Sequence, residues 1–325
     1  MPLHRFLKLA EKLAADSIKE NDYIGRRASI AAIFKIVPKI PSSFIPSNTQ
    51  NFQITNQDQL KQYFENQPWV NDGDLQLLFI KRTQHPKDKH SGQVAFPGGK
   101  VEKGETPYQA AVRETYEEIG LDLSDQNKFA YVGAMKEIFP YYHRNMLLGL
   151  YVFIQLTPEN HLINLSPNEV HSYRWVSFDN FTHKFKEIYK PIEFSKNITL
   201  IKSIGLQINV NGHTAGVVLP KTPSIDSYTY NEKNPPDRTT EYHLWGITFR
   251  RVKSLVFLLP EEERNTTIRD WSYFSIRGPY KIMNRLLLYD ELNFRDTASK
   301  MIYLKPILSA CGLSIPLFFF VRSKL

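Results

Sequence analysis

The stretch GGKVEKGETPYQAAVRETYEEIGL, residues 98–121, shows where the central helix of this chain begins and ends. Thr106 is a suitable N-cap, Pro107 suits the first helical position, and Gln109 completes a capping box. Gly120 supplies the stop at the other end of the helix. Together these signals predict a helix of about 14 residues.

The predicted helix carries three glutamates, Glu114, Glu117 and Glu118, on one face. That face lies roughly 125° from a stripe that we expect to be buried. The stripe consists of Tyr108, Ala111, Thr115 and Ile119. Carboxylates this close repel one another, so a cation such as Mg²⁺ beside the glycine-rich loop would suit a phosphate-ester or diphosphate hydrolase. The alternative is a solvated helix in which Arg113 pairs with Glu117.

The surrounding residues favour the metal site, because the stretch resembles the Nudix signature, G-x5-E-x7-R-E-U-x-E-E-x-G-U. The matching positions are Gly99, Glu105, Arg113, Glu114, Thr115, Glu117, Glu118, Gly120 and Leu121. Thr115 is the one departure, since the pattern prefers an aliphatic residue there. The resemblance implies a Nudix fold of α/β (α+β) class, a mixed β-sheet sandwiched between helices. It also implies hydrolysis of a nucleoside diphosphate linked to another moiety.

The resemblance further implies which residues hold the metal. Glu114 and Glu118 would be the principal ligands of Mg²⁺ or Mn²⁺. Glu117 would be a further ligand or the catalytic base, and the carbonyl of Gly99 would add an oxygen. The metal would neutralise the diphosphate charge and acidify the attacking water.

Three other residues are candidates for catalytic roles on the same resemblance. Arg113 would orient the carboxylates, and Glu105 would brace the loop. Glu169, in Pro-Asn-Glu-Val, is a candidate for the extra glutamate that many family members bring from outside the signature. For Glu169 the alternative is a surface glutamate ahead of a strand.

The preceding stretch LFIKRTQHPKDKHSGQVAFPGG, residues 78–99, resembles the motif of the coenzyme A diphosphatase branch. Ile80 departs from that motif, which has Thr there, and the internal Arg of the motif becomes either Lys87, with one extra residue before Gly92, or Asp88 without it. The substrate-binding candidates are Lys81, Arg82, Lys87, Lys89, Gly92 and Phe96. Their cations, with His90, would meet the phosphates of CoA or acyl-CoA, and the alternative is a solvated basic loop. The segment EYHLWGITFR, residues 241–250, also resembles this branch.

Two other functions are open at this point. A peroxisomal NADH or ADP-ribose diphosphatase is the first, although its Ser-Gln-Pro-Trp-Pro-Phe-Pro array does not occur in this sequence. The second is a catalytically inactive module that only binds CoA. The intact glutamates argue against an inactive module, which has no need of mutually repelling carboxylates.

The tripeptide Ser323, Lys324 and Leu325 matches the peroxisomal address that an import receptor reads. We therefore expect the import receptor to be a partner and the peroxisomal matrix to be the location. Peroxisomes handle acyl-CoA during fatty-acid oxidation, so this address agrees with the CoA motif.

Composition excludes several classes of protein. The chain has 325 residues, 42% of them hydrophobic and 23% charged, as in globular proteins. Cys311 is the only cysteine, which rules out an intrachain disulfide and a cysteine-rich zinc site. The net charge of +8 could attract a polyanion, but no nucleic-acid-binding motif accompanies it. The apolar run 307–321 is shorter than the ~20 residues of a membrane span.

The predicted organisation has three parts: an N-terminal helix over 1–27, a Nudix domain over 28–259, and an extension over 260–325. Surface insertions are expected at about 38–74 and 220–240. The predicted strands are 28–37, 75–82, 129–138 and 145–156. Helical spacing occurs at 178–189 and 241–259, and Asn211-Gly212 predicts the turn of a hairpin within 198–219.

Overall fold

The computed structural model describes eleven segments of the chain, and the statements below concern these alone. They are residues 2–15, 25–38, 54–85, 90–139, 146–158, 161–183, 192–201, 206–214, 216–220, 241–264 and 275–276. The chain divides into two compact units, which are described separately. The first comprises Met1–Ile192 and Ala215–Ser272, and the second comprises Glu193–Thr214 and Tyr273–Leu325. The apolar run 307–321, the loop 221–240 and the tripeptide 323–325 lie outside the described residues.

A mixed sheet of seven strands is the centre of the first unit. Its strands are β1 (Arg26–Val37), β2 (Asp74–Arg82), β3 (Val94–Ala95), β4 (Gly98–Lys100), β5 (Phe129–Ile138), β6 (Met146–Gln155) and β7 (Val170–Ser177). The order is β3-β2-β1-β6-β5, with β4 also paired to β1 and β7 to β2. Only the β1–β6 pair of this described sheet is parallel. The four strands predicted from apolar runs are thereby confirmed.

Helices cover both faces of this sheet. They are α1 (Pro2–Ala15), α2 (Gln57–Glu65), α3 (Pro107–Ile119) and α4 (Gly246–Phe257). Residues of α3 share one apolar cluster with the sheet, whereas α1, α2 and α4 contribute to a second cluster. Because strand side chains alternate between faces, the two clusters lie on opposite sides of the sheet. This arrangement confirms the expected mixed sheet between helices.

The helix predicted within residues 98–121 forms as expected. The side chain of Thr106 accepts a hydrogen bond from the Gln109 backbone at 3.2 Å, and the Gln109 side chain accepts from the Thr106 backbone at 2.8 Å. Gly120 ends the helix with a φ of 72°, a left-handed conformation that glycine adopts without steric cost. Both ends of α3 are thus determined by short-range contacts.

The part of the predicted insertion at 38–74 that is described, from residue 54 on, belongs to the core. Leu60 and Phe64 of α2 are buried, and so is Val70 in the following short 3₁₀ turn. The high content of polar residues suggests a surface loop, but α2 is amphipathic, and its apolar face packs against α1 and joins the core cluster on that side of the sheet. The expectation of a surface insertion was therefore wrong for this half.

The predicted boundaries at residues 27 and 260 also differ from the structure. Phe6 and Leu9 of α1 are fully buried in the main core. Arg5 forms ion pairs with Asp179 and with Glu263, the latter at 2.7 Å. The N-terminal helix and the turn at 261–263 are therefore integral to the first unit, because long-range contacts secure them.

At two other places the local sequence pattern predicted a helix that the structure does not show in full. Residues 242–245 form strand β11 (Tyr242–Trp245), paired with β10 (Gly216–Leu219), and the helix starts only at Gly246. At 178–189 the described residues form a 3₁₀ turn over Phe178–Phe181, and residues 184–191 lie outside the description.

The second unit contains a three-stranded sheet. Its strands are β8 (Ile192–Ile201), β9 (Leu206–Thr214) and β12 (Ser275–Ile276), in the order β12-β9-β8. Asn211-Gly212 lies inside β9, where Gly212 pairs with Ile276, so the predicted turn position was wrong. A strand from a distant part of the chain overrides the local turn preference. None of the described helices is long and apolar enough to cross a membrane.

Candidate active site

Arg113 of α3 is the centre of a carboxylate network. Its guanidinium donates to Glu105 at 2.8 and 3.1 Å, to Glu117 at 2.9 Å and to Glu114 at 3.2 Å. A further hydrogen bond of 3.0 Å reaches the carbonyl of Lys100. These contacts lower the pKa of Glu105 and raise that of Arg113, mainly through the hydrogen bonds between the two. Arg113 therefore orients three glutamates and joins them to the loop ahead of the helix.

Glu118 is buried, with only 3% of the residue exposed. One carboxylate oxygen accepts a hydrogen bond from the Gly98 backbone at 2.9 Å, and the other lies 3.8 Å from Nη1 of Arg82. Burial raises the pKa of Glu118 to about 8, although Gly98 and Arg82 act in the opposite direction. The alternative of a solvated helix face is therefore wrong for Glu118, because the backbone of β4 packs against this side chain.

Glu114 and Glu169 complete the group of carboxylates. Half-burial raises the pKa of Glu114, and the charges of Glu117 and Glu169 raise it further. The charge of Glu169 also raises the pKa of Glu118. Glu169 therefore lies within electrostatic reach of α3, although it comes from the turn before β7.

Thr83 holds the turn that carries Glu169. Its backbone N–H donates to the Glu169 carbonyl at 2.9 Å, and its hydroxyl donates to the Pro167 carbonyl at 2.9 Å. Thr83 directly follows Arg82, so the end of β2 positions both a cation and a carboxylate beside Glu118. No local pattern in the sequence indicates these two contacts, because Thr83 and Pro167 are 84 positions apart.

Two glycines allow the close approach of β4 to its neighbours. Gly98 has a φ of 141°, and a Cβ there would lie 2.2 Å from the carbonyl oxygen of Ser29. A Cβ on Gly99 would lie 2.4 Å from the carboxyl carbon of Glu114. A side chain at Gly98 would have to displace the backbone of β1, whereas a side chain at Gly99 would displace the carboxylate of Glu114.

The donor set fits a hard divalent cation. Two of the carboxylates, Glu114 and Glu118, are desolvated, and charges of neighbouring carboxylates raise the pKa of both: Glu117 and Glu169 act on Glu114, and Glu114 and Glu169 act on Glu118. Mg²⁺ and Mn²⁺ prefer oxygen ligands, and a cation would relieve this repulsion. In the part of the chain that is described, no three His, Cys, Asp or Glu side chains are already grouped as metal ligands.

The predicted substrate-binding residues lie in different surroundings. Arg82 lies beside Glu118 on the α3 side of the sheet. Lys81 points to the opposite face, where its Nζ lies 5.6 Å from the ring centroid of Tyr242. Because the two side chains contact groups on opposite faces of the sheet, in this arrangement they do not face a common phosphate.

Phe96 lies in the core and not at the site. It is 2% exposed and stacks on Phe79 with ring centroids 5.1 Å apart. Gly92 has a φ of 68° and forms part of the turn before β3. Lys87 and Lys89 lie outside the described residues.

A second ion pair near the site was also missed. Arg27 of β1 lies 3.3 Å, Nε to Oε1, from Glu137 of β5. These strands are separated by β6, so no sequence spacing relates the two residues. A signal for this pair could come only from sheet order, which the sequence pattern does not reveal.

Comparison with known proteins gives one family match and several relatives. Residues 68–195 match the family model described as NUDIX domain. Nudix hydrolase 3 of Caenorhabditis elegans is 47% identical over 51 residues, which are 16% of this chain and 21% of that protein. An uncharacterised protein of Schizosaccharomyces pombe is 34% identical over 209 residues, 61% of each chain. The 8-oxo-dGTP diphosphatase of Escherichia coli is 52% identical over 45 residues, 14% of this chain and 33% of that protein. The chain therefore spans less than two thirds of each of these relatives.

Proposed function

We propose that the chain, whose residues 68–195 match the NUDIX domain model, is a metal-dependent Nudix diphosphatase acting on coenzyme A and acyl-CoA. Hydrolysis of the diphosphate would yield adenosine 3′,5′-bisphosphate and 4′-phosphopantetheine or its acyl form, and oxidised CoA would be cleaved in the same way. The observation that carries the proposal is the carboxylate group organised by Arg113 around the buried Glu118.

Glu114 and Glu118 would hold Mg²⁺ or Mn²⁺, with Glu117 and Glu169 as further ligands. When bound, the metal neutralises diphosphate charge and lowers the pKa of the attacking water. The Gly98 backbone N–H holds one oxygen of Glu118 in place, and Arg113 does the same for Glu114 and Glu117. These contacts keep the carboxylates oriented before substrate arrives.

A general base must accept a proton from the attacking water. Glu117 has a side chain that is 52% exposed, and Glu169 is exposed as well. Either carboxylate can reach solvent, whereas Glu118 is enclosed. Substituting Glu117 and Glu169 separately distinguishes them, because loss of the base lowers kcat more than KM.

The choice of CoA rests on the stretch 78–99 and its resemblance to the CoA diphosphatase branch. Arg82 stands beside the carboxylates, where it can meet a phosphate of the substrate. NADH and ADP-ribose are the alternative substrates, and an inactive CoA-binding module is the alternative function. The match to an 8-oxo-dGTP diphosphatase covers 45 residues, which is too short to favour that substrate.

The test is turnover of the purified protein with Mg²⁺ on CoA, an acyl-CoA, NADH, ADP-ribose and 8-oxo-dGTP in parallel, with products identified by mass. Release of adenosine 3′,5′-bisphosphate from CoA at the highest kcat/KM is expected. Preference for another compound would overturn the choice of CoA. Binding of CoA without any turnover would support the inactive module.

The metal assignment has its own test. Glu118→Gln should abolish most turnover, because it removes a ligand charge while it keeps the shape of the side chain. Glu102→Gln is the matched control, since Glu102 is an exposed glutamate of the preceding loop and should keep its turnover. Equal turnover of the two variants would contradict the assignment.

The peroxisomal location is a separate proposal that rests on the tripeptide 323–325 alone. Deletion of Leu325 should leave turnover intact and redistribute a fluorescently tagged protein from peroxisomes to the cytosol. Continued import of the deleted form would show that an import receptor does not read this tripeptide.

A further inference from the structure

The two carboxylate oxygens of Glu118 face different neighbours. Oε2 accepts a hydrogen bond of 2.9 Å from the Gly98 backbone N–H, which ties this oxygen to β4. Oε1 lies 3.8 Å from Nη1 of Arg82, at the end of β2. Oε1 is therefore the oxygen of Glu118 that is better placed for a divalent cation, and the guanidinium of Arg82 stands beside this same oxygen.

Arg82 contacts its carboxylate in a different way from Arg113. Arg113 donates hydrogen bonds of 2.8 and 3.1 Å to Glu105. The 3.8 Å between Arg82 and Glu118 is longer than a hydrogen bond, so the attraction of opposite charges holds this pair without a directed bond. The side chain of Arg82 is also 32% exposed. The contact between Arg82 and Glu118 therefore costs less to break than the contacts between Arg113 and Glu105.

The main chain at Arg82 is fixed, in contrast to its guanidinium. The Arg82 N–H donates to the Gln93 carbonyl at 3.0 Å, and the next N–H, of Thr83, donates to the Glu169 carbonyl at 2.9 Å. The ladder between β2 and β7 shifts register between Lys81 and Arg82, an irregularity of the kind that directs a side chain at a functional site. The movement open to Arg82 is therefore a rotation of its side chain about a fixed backbone.

A divalent cation and the guanidinium of Arg82 would compete for the Glu118 carboxylate. A cation that took Oε1 would lie close to the guanidinium, and like charges repel strongly where water is excluded. The guanidinium would then need another anionic partner. A phosphate oxygen of the substrate suits it, because a guanidinium binds phosphate through two parallel hydrogen bonds.

We propose that Arg82 competes with the divalent ion for Oε1 of Glu118 and turns to a phosphate of the substrate when the ion takes this oxygen. The inference rests on the proposed diphosphatase function and adds an order of binding, in which the ion precedes the phosphate. Arg82 thus weakens binding of the ion and strengthens binding of the phosphate. A residue that only supported the fold would change both affinities in the same direction.

The first test measures binding of Mn²⁺ alone by calorimetry. Arg82→Gln should bind Mn²⁺ about fivefold more tightly than wild type, because a competing charge at a partly exposed ion pair is lost. Lys81→Gln is the matched control, since it removes the neighbouring positive charge on the opposite face of the sheet and should keep the wild-type affinity. In the Glu118→Gln background, Arg82→Gln should give no such gain, because the competition is for this carboxylate.

The second test measures the opposite effect on a diphosphate. The probe is the preformed Mn²⁺ complex of ADP, titrated at saturating Mn²⁺. Arg82→Gln should weaken its binding about tenfold, as expected for loss of a hydrogen bond between charged groups. A variant that folds poorly would bind both Mn²⁺ and the ADP complex more weakly, so tighter binding of one and weaker binding of the other identifies the exchange.

The third test uses wild type and needs no variant. Phenylglyoxal modifies accessible guanidinium groups, and mass spectrometry of peptides locates the modified arginines. Mg²⁺ without substrate should raise the modification of Arg82 severalfold, because the ion releases its guanidinium from Glu118. Modification of Arg113 should not rise, since its hydrogen bonds to Glu105 remain.

Each contrary result would overturn the role of Arg82. Such results are an unchanged or lower Mn²⁺ affinity in Arg82→Gln, an equal gain in Lys81→Gln, unchanged binding of the ADP complex, or no rise in modification with Mg²⁺. None of these measurements depends on turnover. If they agree with expectation but no tested substrate is hydrolysed, the diphosphatase proposal fails and the exchange at Glu118 stands. Turnover of CoA with a contrary result would overturn the role of Arg82 alone.

Discussion

The burial of Glu118 predicts a specific pH dependence for the metal-free protein. Burial raises the pKa of this carboxyl from 4.5 to about 8, so the folded state binds the proton more tightly than the unfolded state. Stability from this group is therefore complete below pH 4.5 and falls as pH rises towards 8. At about 1.4 kcal/mol per pH unit, the loss is on the order of 5 kcal/mol above pH 8.

Glu118→Gln removes this titration while it keeps an oxygen that can accept from the Gly98 backbone. In EDTA the variant and wild type should have similar unfolding free energies near pH 5. At pH 9 the variant should be more stable by several kcal/mol, on the order of the loss calculated for wild type. Urea unfolding at pH 5, 7 and 9 measures this difference, with Glu65→Gln as the control for loss of an exposed carboxylate.

Added Mg²⁺ should make wild type more stable than Glu118→Gln at pH 9. A metal ion that binds only the folded state stabilises that state, and the variant lacks one of the carboxylates that would bind the ion. Equal stability of the two proteins at pH 9 in EDTA would refute the reasoning. It would show that water or a nearby cation offsets the burial of the Glu118 carboxylate, contrary to the enclosure of this side chain by β4.

Three further predictions concern the groups that position the carboxylates. Arg113→Lys should lower kcat/KM by about 100-fold, because an ammonium group cannot orient several carboxylates as the guanidinium does. Steady-state kinetics on the best substrate measures this loss, and near-wild-type activity would contradict the prediction. Gly98→Ala should destabilise the fold by about 3 kcal/mol or more, because its Cβ would clash with the carbonyl of Ser29, and urea unfolding measures the loss. Thr83→Val removes the hydrogen bond from the Thr83 hydroxyl to the Pro167 carbonyl and should lower the free energy of unfolding by only about 1 kcal/mol. It should also lower kcat, because the turn that carries Glu169 would shift, and a kcat equal to wild type would contradict this positioning role of Thr83.

Local sequence was a good guide wherever neighbouring residues determine the structure. The caps of α3 join residues three or four apart, so Thr106, Gln109 and Gly120 could be assigned their roles directly. The pairing of Arg113 with Glu117 follows from one helical turn in the same way.

Prediction failed where distant segments compete with a local pattern. Tyr242 to Trp245 had the apolar spacing of a helix, but pairing with β10 makes them a strand. Asn211-Gly212 has the composition of a turn and is instead held in a ladder by β12. The paired residues of β10 and β11 lie 23 to 29 positions apart along the chain, and those of β9 and β12 lie 62 to 64 positions apart.

For the site, helical periodicity in the sequence placed Glu114, Glu117 and Glu118 on one face of a helix and Arg113 one turn from Glu117. The roles expected of these residues followed from the resemblance of the stretch to the Nudix signature. Only the tertiary structure decided that Glu118 is buried under β4, that Glu169 reaches α3, and that Lys81 and Arg82 face opposite sides of the sheet. It also brought Arg27 and Glu137 together across β6. Burial and sheet order arise from packing between remote segments, and this packing raises the pKa of Glu118 and decides which groups surround Lys81 and Arg82.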